Sequence, residues 1–198
     1  MNIGKTIENL EKRGFAVSHF GTREEAVAYL CAAIQDKVVG IGGSTTVQQI
    51  GLYEPLSRHN EVHWHLLDPS VENRNAATNA PVYITSANAV SEDGEIINID
   101  GRGNRVAATL YNKDEVYIII GTNKLAEDFD KALWRARNIA APLNAKRLGT
   151  KTPCAAKGDR CYDCKSPGRI CRGLVVLWGP MLDMQKIEVV IIDEELGF

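Results

Sequence analysis

The sequence has no apolar stretch that approaches the roughly 20 residues needed to cross a bilayer, so it does not predict a membrane protein. Its beginning, MNIGKTIENLEKRG, is charged and lacks the apolar core of a signal peptide. Lys and Arg number 23 against 25 Asp and Glu, so the excess of basic charge typical of nucleic-acid-binding proteins is also missing. These absences predict a cytoplasmic protein that binds neither membranes nor nucleic acid.

Internal repeats, low-complexity tracts and linkers are lacking as well. The chain has 198 residues, of which 44% are hydrophobic and 24% charged, which is enough for one domain with a sizeable core. We therefore expect residues 1–198 to form a single domain. Because a cytoplasmic protein keeps its thiols reduced, clustered cysteines in it are expected to be metal ligands or redox groups rather than structural disulfides.

Helical and strand patterns alternate along the chain. Helical spacing is found at 3–13, 22–34, after 42, at 73–79 and at 125–141, with Pro142 just beyond the last. Strand patterns are found at 15–20, 37–41, 61–67, 82–86, 115–121, 173–178 and 187–193. Two more, 95–100 and 105–110, flank the turn DGRGN as a predicted hairpin. The alternation predicts an α/β fold with a mostly parallel sheet flanked by helices, an antiparallel excursion, and an inserted Cys-rich loop at 152–172.

A glycine-rich segment, KVVGIGGSTT, joins a predicted strand to a predicted helix at residues 37–46. Glycines let a ligand approach the backbone closely, and a helix that begins behind them adds unpaired N–H groups and a partial positive charge. The segment therefore predicts a phosphate or carboxylate site made by Gly42, Gly43, Ser44 and Thr45. It is not a Walker loop or a dinucleotide fingerprint, because no lysine follows and the third glycine is missing. The alternative is a tight turn that binds nothing.

Residues 86–105, SANAVSEDGEIINIDGRGNR, are unusually rich in polar side chains beside strands. Glu92 and Asp100 are the candidates for a catalytic base or nucleophile, and Asn88, Arg102 and Arg105 for binding an anionic ligand. The alternative is that Asp-Gly pairs mark turns and the charges are solvated. His63 and His65 share one face of a predicted strand and are capable of binding a metal, but a solvent-facing edge is the favoured interpretation.

Four of the five cysteines fall in one short segment with the spacing C-x6-C-x2-C-x6-C: Cys154, Cys161, Cys164 and Cys171. Four thiolates on one loop can close a tetrahedral metal site or hold an iron–sulfur cluster. Structural zinc usually shows two C-x2-C pairs and the common iron–sulfur spacings differ from this one, so zinc and an iron–sulfur cluster both stay open. Thiol–disulfide chemistry at the C-x2-C pair is a third alternative.

Several blocks together resemble the LUD-domain proteins, which are associated with lactate utilisation: GIGGSTT, NAVSEDGEIINIDGRGNRVA, EVYIIIGTNKL and the Cys loop. The resemblance covers essentially the whole chain and is closest to a branch that carries the Cys loop. It implies a fold like that of ribose-5-phosphate isomerase, glucosamine-6-phosphate deaminase and CoA transferases, which bind phosphorylated sugars or CoA esters at the carboxyl ends of strands. By this resemblance Gly42, Gly43, Ser44 and Thr45 match the phosphate-binding loop, and Asn88, Glu92 and Gly94 match the polar block opposite it.

Three functions are consistent with these features. The first is a lactate-utilisation-type protein that binds a small anionic or phosphorylated ligand and a Cys-ligated metal or iron–sulfur cluster, and acts in 2-hydroxy acid oxidation beside a redox partner protein. The second is an isomerase- or transferase-like enzyme with structural zinc and with Glu92 or Asp100 as acid and base. The third is a non-catalytic regulatory or binding subunit. The sequence does not decide whether the chain forms a homo-oligomer. It also does not give the distance between the glycine loop and the Cys loop.

Overall fold

Helices and strands follow one another along residues 2–198, which are the residues that the computed structural model describes. The α-helices are α1 (Ile3–Lys12), α2 (Arg23–Ala33), α3 (Thr45–Gln49), α4 (Tyr53–Leu56), α5 (Val71–Asn79), α6 (Asn104–Ala108), α7 (Phe129–Arg135), α8 (Ala141–Arg147) and α9 (Pro153–Lys157). The strands are β1 (Ala16–Phe20), β2 (Val38–Ile41), β3 (Glu61–Trp64), β4 (Val82–Thr85), β5 (Ala89–Ser91), β6 (Ile96–Asp100), β7 (Glu115–Gly121), β8 (Leu125–Ala126), β9 (Gly173–Leu177) and β10 (Lys186–Ile192).

Six strands form a wholly parallel sheet in the order β1-β10-β7-β4-β2-β3. The other four form a smaller sheet in the order β8-β5-β6-β9, in which β6 runs antiparallel to both neighbours. The prediction of an α/β fold with a mostly parallel sheet flanked by helices is confirmed. Because all strands of the large sheet run the same way, the segments that follow β2, β3, β4 and β7 leave from one edge.

The central strand β7 separates two apolar clusters because its side chains alternate between the faces of the sheet. Tyr117 and Ile119 pack on one side with residues of α2, α3 and α4. Val116, Ile118 and Ile120 pack on the other side with α1 and with the inner face of the small sheet. A third cluster joins the outer face of the small sheet to α7. The large sheet is therefore covered on both faces, as parallel sheets are.

The predicted hairpin at 95–110 is wrong in its second half. Residues 96–100 form β6, but 105–110 overlap helix α6 and the turn after it. The carboxylate of Asp100 accepts hydrogen bonds from the backbone N–H groups of Arg102, at 3.0 Å, and Gly103, at 3.1 Å. Gly103 then adopts a φ of 86°, and the chain enters a helix whose alanines favour that conformation. The antiparallel partners of β6 are β5, which the sequence did not predict, and β9.

The long helix predicted to stop before Pro142 continues through it. Helix α7 passes into a π-helical segment, Ala136–Ala140, and then into α8, which contains Pro142 near its start. A proline lacks the N–H that an α-helix needs in its interior, and a π-segment changes the hydrogen-bond register just before it. None of the helices in residues 2–198 is long and apolar enough to span a bilayer.

Candidate functional site

A cavity of about 680 Å³ lies at the edge of the large sheet where its parallel strands end. The segments that follow β2, β3, β4 and β7 supply one part of its wall, and the turn after β6, helix α8, the Cys loop and residues 197–198 also line it. Ligands of open parallel sheets bind outside the carboxyl ends of the strands, because the loops from neighbouring strands converge there. This cavity is therefore the candidate functional site.

The glycine segment contributes Gly43, Ser44 and Thr45 to the cavity wall. Gly42 lies behind them: a Cβ there would come within 2.8 Å of the Tyr83 hydroxyl, so this position has no room for a side chain. Ser44 accepts a hydrogen bond from the N–H of Val47 at 3.1 Å and thereby caps α3. Helix α3 has only five residues, so its dipole is smaller than the sequence suggested. Binding of an anion by this segment stays a prediction.

Positive charge dominates the cavity. Among the described residues that line it, six carry a basic side chain and Asp100 alone carries an acidic one; the basic residues are Arg74, Arg102, Lys124, Arg105, Arg147 and Arg169. Arg102 is exposed, and within residues 2–198 its side chain makes no hydrogen bond or ion pair. Arg105 pairs with Asp100 at 3.5 Å and Arg169 with Asp163 at 3.4 Å, and the remaining arginines leave a net positive charge at this concave surface, which attracts anions.

The guanidinium of Arg105 is occupied by hydrogen bonds within the protein rather than available to a ligand. Its guanidinium donates to the backbone carbonyls of Ser86, at 3.2 Å, and Ile99, at 2.7 Å. It also donates to the side-chain oxygens of Asn98, at 2.7 Å, and Asn88, at 3.3 Å. Arg105 thus fastens the end of β4 to the end of β6 and adds its charge to the wall of the cavity. Asn88 lines the cavity as well, with its side-chain oxygen also accepting from the Ile99 N–H at 2.7 Å.

Lys124 is a buried lysine that faces the cavity and was not among the predicted site residues. Its side chain is 4% exposed, and Nζ donates to the Ser86 hydroxyl at 2.8 Å, the Thr46 hydroxyl at 2.9 Å and the Ala87 carbonyl at 3.0 Å. All of these partners are neutral. Burial, together with the guanidinium groups of Arg135 and Arg105, lowers the pKa of Lys124 to about 7. With that pKa, Lys124 changes between its charged and neutral forms near neutral pH, whereas a lysine of ordinary pKa stays charged there.

Arg135 supports this region from behind. It is 8% exposed, and its guanidinium donates to the carbonyl of Asn123 at 2.7 Å and to the carbonyl of Asn88. Burial lowers the pKa of Arg135 to about 10. Because Asn123 precedes Lys124 and Asn88 follows Ala87, Arg135 holds the two backbone segments that carry Lys124 and its carbonyl partner.

Three buried side-chain polar atoms lack a hydrogen-bond partner in residues 2–198, and they cluster at this edge of the sheet: His65 Nδ1, Tyr83 Oη and Asp100 Oδ2. His65 and Asp100 line the cavity, whereas Tyr83 lies under Gly42. Burial, then the charges of Arg74 and Arg102, lower the pKa of His65, so its ring is neutral at pH 7. Buried polar atoms are normally paired, so unpaired ones that face a cavity indicate a place where a polar ligand completes the hydrogen bonding.

Two residues of the predicted site lie elsewhere. The Glu92 carboxylate accepts hydrogen bonds from the N–H of Asn2 at 2.9 Å and from Lys5 at 2.8 Å, which places it at the start of α1. The Asn2 N–H, then Lys5, lower the pKa of Glu92. Gly94 adopts a φ of 90° in a turn that packs against Asn9, where a Cβ would lie 2.9 Å from a carbonyl oxygen. Neither residue lines the cavity, and a catalytic or binding role for them stays a prediction.

The four cysteines of the Cys loop line one small space of about 10 Å³ against helix α8. No disulfide joins the described cysteines. The Asp163 N–H donates to Cys161 Sγ at 3.3 Å, and the Thr152 hydroxyl lies 3.3 Å from Cys154 Sγ. Within residues 2–198, no group of three or more His, Cys, Asp or Glu side chains is arranged to hold a metal ion. The structure therefore brings the four thiols to one place without closing a metal site.

The Cys loop and the cavity share a wall. Arg169 and Ile170 line both the cavity and the space between the cysteines. Arg169 donates to the carbonyls of Cys171 and Cys164, each at 2.8 Å, and the charge of Cys171 raises the pKa of Arg169. On the other side of the wall, a Cβ at Gly101 would lie 2.6 Å from the Ile170 carbonyl oxygen. The glycine loop and the Cys loop thus both contribute to the wall of the same cavity.

Comparison with known proteins gives the family. The sequence profile of the LUD domain matches residues 3–192. The chain belongs to the LUD-domain family. The predicted resemblance is thereby confirmed and the chain is, in general, of the lactate-utilisation type; membership of a branch with a Cys loop stays a prediction. No curated protein matches the sequence.

A solved structure supports the fold of this LUD domain. The crystal structure of a DUF162 family protein from Deinococcus radiodurans is similar to it with a TM-score of 0.56 and 14% sequence identity. The similarity covers 96% of this chain and 95% of the other. At that identity the comparison concerns the fold alone.

Among the cavity residues of this LUD domain that sequence reasoning missed are Lys124 and His65, although a signal for both was present. Lys124 follows the strongly apolar segment EVYIIIG, and His65 follows β3. Polar residues just beyond the carboxyl ends of buried parallel strands are expected at the ligand edge. His65 was interpreted as part of a solvent-facing strand, but β3 ends at Trp64 and His65 turns into the cavity.

Proposed function

We propose that this LUD domain binds a small anionic metabolite, a carboxylate or a phosphate, in the cavity at the edge of its large sheet. The observation that carries the proposal is the charge of the cavity wall, where six basic side chains accompany one acidic side chain. The guanidinium of Arg102 makes no hydrogen bond within residues 2–198, which suits bidentate binding of a carboxylate or phosphate. The unpaired polar atoms of His65 and Asp100 add neutral and acidic groups for the polar remainder of the ligand.

We further propose that the Cys loop holds a metal ion or an iron–sulfur cluster. The donors fit: four cysteines without disulfides surround one small space, and zinc and iron–sulfur clusters both take four thiolates. Holding either group requires the thiols to move closer together than they are here. An iron–sulfur cluster would supply single-electron transfer, whereas zinc would fix the shape of the loop.

The position of the Cys loop favours a role in 2-hydroxy acid oxidation with a redox partner protein. A cluster held by these cysteines would lie next to the cavity, because Ala141, Arg169 and Ile170 line both spaces. The carboxylate of a 2-hydroxy acid suits the basic wall, and the family association with lactate utilisation points to the same substrate class. Of the acid or base candidates, Asp100 lies in the cavity and Glu92 does not, so we keep Asp100 in the proposal and leave Glu92 out of it.

Two measurements on the full chain test these proposals separately. Thermal-shift titration with lactate, oxalate and phosphate tests the cavity: a ligand that binds the folded state raises Tm, and no rise with any of them would overturn the anion site. Anaerobic purification with metal analysis and an absorption spectrum tests the Cys loop. A brown protein containing iron supports a cluster, one colourless zinc per chain supports a structural metal, and a chain free of metal contradicts both.

A further inference from the structure

Lys124 combines two properties that rarely occur in one lysine. Its amine is almost entirely buried, with 4% of the residue exposed, yet it faces the cavity that we propose as the anion site. No carboxylate lies among its hydrogen-bond partners, which are two hydroxyls and one backbone carbonyl. A structural buried lysine is normally neutralised by an acid, because an unpaired buried charge is costly. The surroundings of Lys124 thus favour the neutral amine.

The partners of Lys124 are able to hold the neutral amine as well as the ammonium. Hydroxyls both donate and accept, so the Ser86 hydroxyl can turn its proton toward Nζ when the lysine loses one. Ser86 Oγ also lies 3.3 Å from Thr46 Oγ1, which completes a short chain of hydroxyls beside Nζ. With a pKa of about 7, about half of the lysine is neutral at pH 7. A neutral amine in a desolvated site is a nucleophile toward carbonyl carbons.

The same cavity binds carboxylates if our proposed function is correct. Arg102 and Lys124 line the same cavity, so a ligand whose carboxylate is held by the arginine can present a neighbouring group to the lysine amine. The ligand that uses both groups carries a carboxylate next to a carbonyl. We propose that Lys124 is a nucleophile that forms an imine with a 2-oxo acid, the oxidised counterpart of a 2-hydroxy acid. This proposal rests on the proposed anion site.

The step balances without an oxidant or reductant. The lone pair of Nζ attacks the carbonyl carbon, the C–O π bond breaks, and the oxygen takes the first of the two protons that Nζ loses. The oxygen then leaves as water with the second of these protons, and a C=N bond between Lys124 and the acid remains. The hydroxyls of Ser86 and Thr46 lie within 2.8 and 2.9 Å of Nζ and are placed to carry these protons. Hydrolysis reverses the sequence and returns the free amine.

Reductive trapping tests the inference. The full chain is incubated with pyruvate and sodium cyanoborohydride, digested, and mapped by mass spectrometry for lysines that carry one reduced pyruvate. We expect modification concentrated at Lys124 and suppressed by excess lactate, which shares the carboxylate but has no carbonyl. Lys124→Arg removes the nucleophilic amine while keeping a basic side chain, and should abolish that modification. Lys113→Arg is the matched control, because Lys113 is also buried, at 5% exposed, and burial lowers its pKa, but it lies outside the cavity.

The outcomes separate this inference from the proposed function. If lactate and pyruvate both raise Tm while Lys124 is modified no more than surface lysines, the imine is wrong and the anion site stands. If neither ligand raises Tm and nothing is trapped, both are wrong. Should Lys124→Arg fail to fold, mapping and lactate competition on the unaltered chain still decide the matter.

Discussion

The two walls of the cavity differ in the interactions that fix their positions. The wall at the ends of the strands carries Thr46, Ser86 and Lys124, each buried and fastened by hydrogen bonds to a neighbouring strand end. In the other wall, residues 158–172 contain no helix or strand. Arg169 holds this loop together internally through the carbonyls of Cys164 and Cys171, and the Arg172 N–H ties it to the Asp100 carbonyl at 2.9 Å. The first wall is preorganised by the sheet, whereas we expect the second to depend on whatever the cysteines bind.

The close packing of helix α5 on strand β2, which supports the strand wall, is tested by Gly40→Ala. A Cβ at Gly40 would overlap the carbonyl of Ala77 in α5 and lie 2.7 Å from its carbon, so the helix has to move away from the sheet. We expect a loss of about 3 kcal/mol in the free energy of unfolding, measured by denaturant titration. Gly4→Ala in α1 is the control, because its nearest neighbour would be 3.4 Å away, and it should cost nothing. Equal stabilities for the two variants would contradict the close packing of α5.

The dependence of the Cys wall on a metal is tested by Cys161→Ser. Loss of one thiolate should reduce metal affinity by more than about tenfold and weaken stabilisation by lactate, because the loop forms part of the cavity. Circular dichroism should stay unchanged, since the strands do not depend on the loop. Cys31→Ser is the control: Cys31 packs against the core on α2, far in the sequence from the loop. Unchanged metal content in Cys161→Ser, or equal loss in Cys31→Ser, would contradict the role of the loop.

The buried amine of the strand wall predicts a pH dependence. Lys124 has a pKa of about 7 in the folded chain and an ordinary value of 10.5 when unfolded. Between these values the unfolded chain binds more protons, so stability rises with pH, and below pH 7 the cost of burying the cation is complete. Relative to Lys124→Met, the free energy of unfolding of the unaltered chain should therefore rise above pH 7, by at most about 1.4 kcal/mol per pH unit. A difference that does not change from pH 6.5 to 9 would refute the lowered pKa.

The smallest effect is expected for Glu92→Gln, outside both walls. The carboxylate pairs with Lys5 and with the start of α1 at the surface, so the substitution should lower Tm slightly and leave lactate binding unchanged. Calorimetric melting with and without lactate measures both quantities. Loss of lactate binding in this variant would show that the site extends to Glu92 and that we have placed it wrongly.

Much of the fold was predictable because the pattern and the packing agree. The apolar segment of β7 had to be a central strand, and the capping box that Thr22 and Glu25 form at the start of α2 was evident from their spacing. The errors arose where local signals compete. The DGRGN turn resembles a hairpin, but the hydrogen bonds of Asp100 begin a helix, and a π-segment lets a helix continue through Pro142.

The site was less predictable, because burial and partners are properties of the assembled sheet. Of the predicted glycine loop, Gly43, Ser44 and Thr45 line the cavity and Gly42 does not, and anion binding there stays a prediction. A lysine in GTNKL gives no sign that its amine is enclosed by Thr46, Ser86 and Ala87, which come from two other strand ends. For the same reason, the sequence could not show that the guanidinium of Arg105 is used in hydrogen bonds within the protein.

Calorimetric titration with lactate or oxalate tests the basic cavity most directly, using two arginines matched in exposure. Arg102 lines the cavity, Arg58 does not, and neither side chain makes a hydrogen bond within residues 2–198. We predict that Arg102→Gln weakens binding about tenfold, the effect of losing one charge-assisted interaction, while Arg58→Gln binds as the unaltered chain does. Equal affinities in all three proteins, or no heat of binding in any, would contradict an anion site in this cavity.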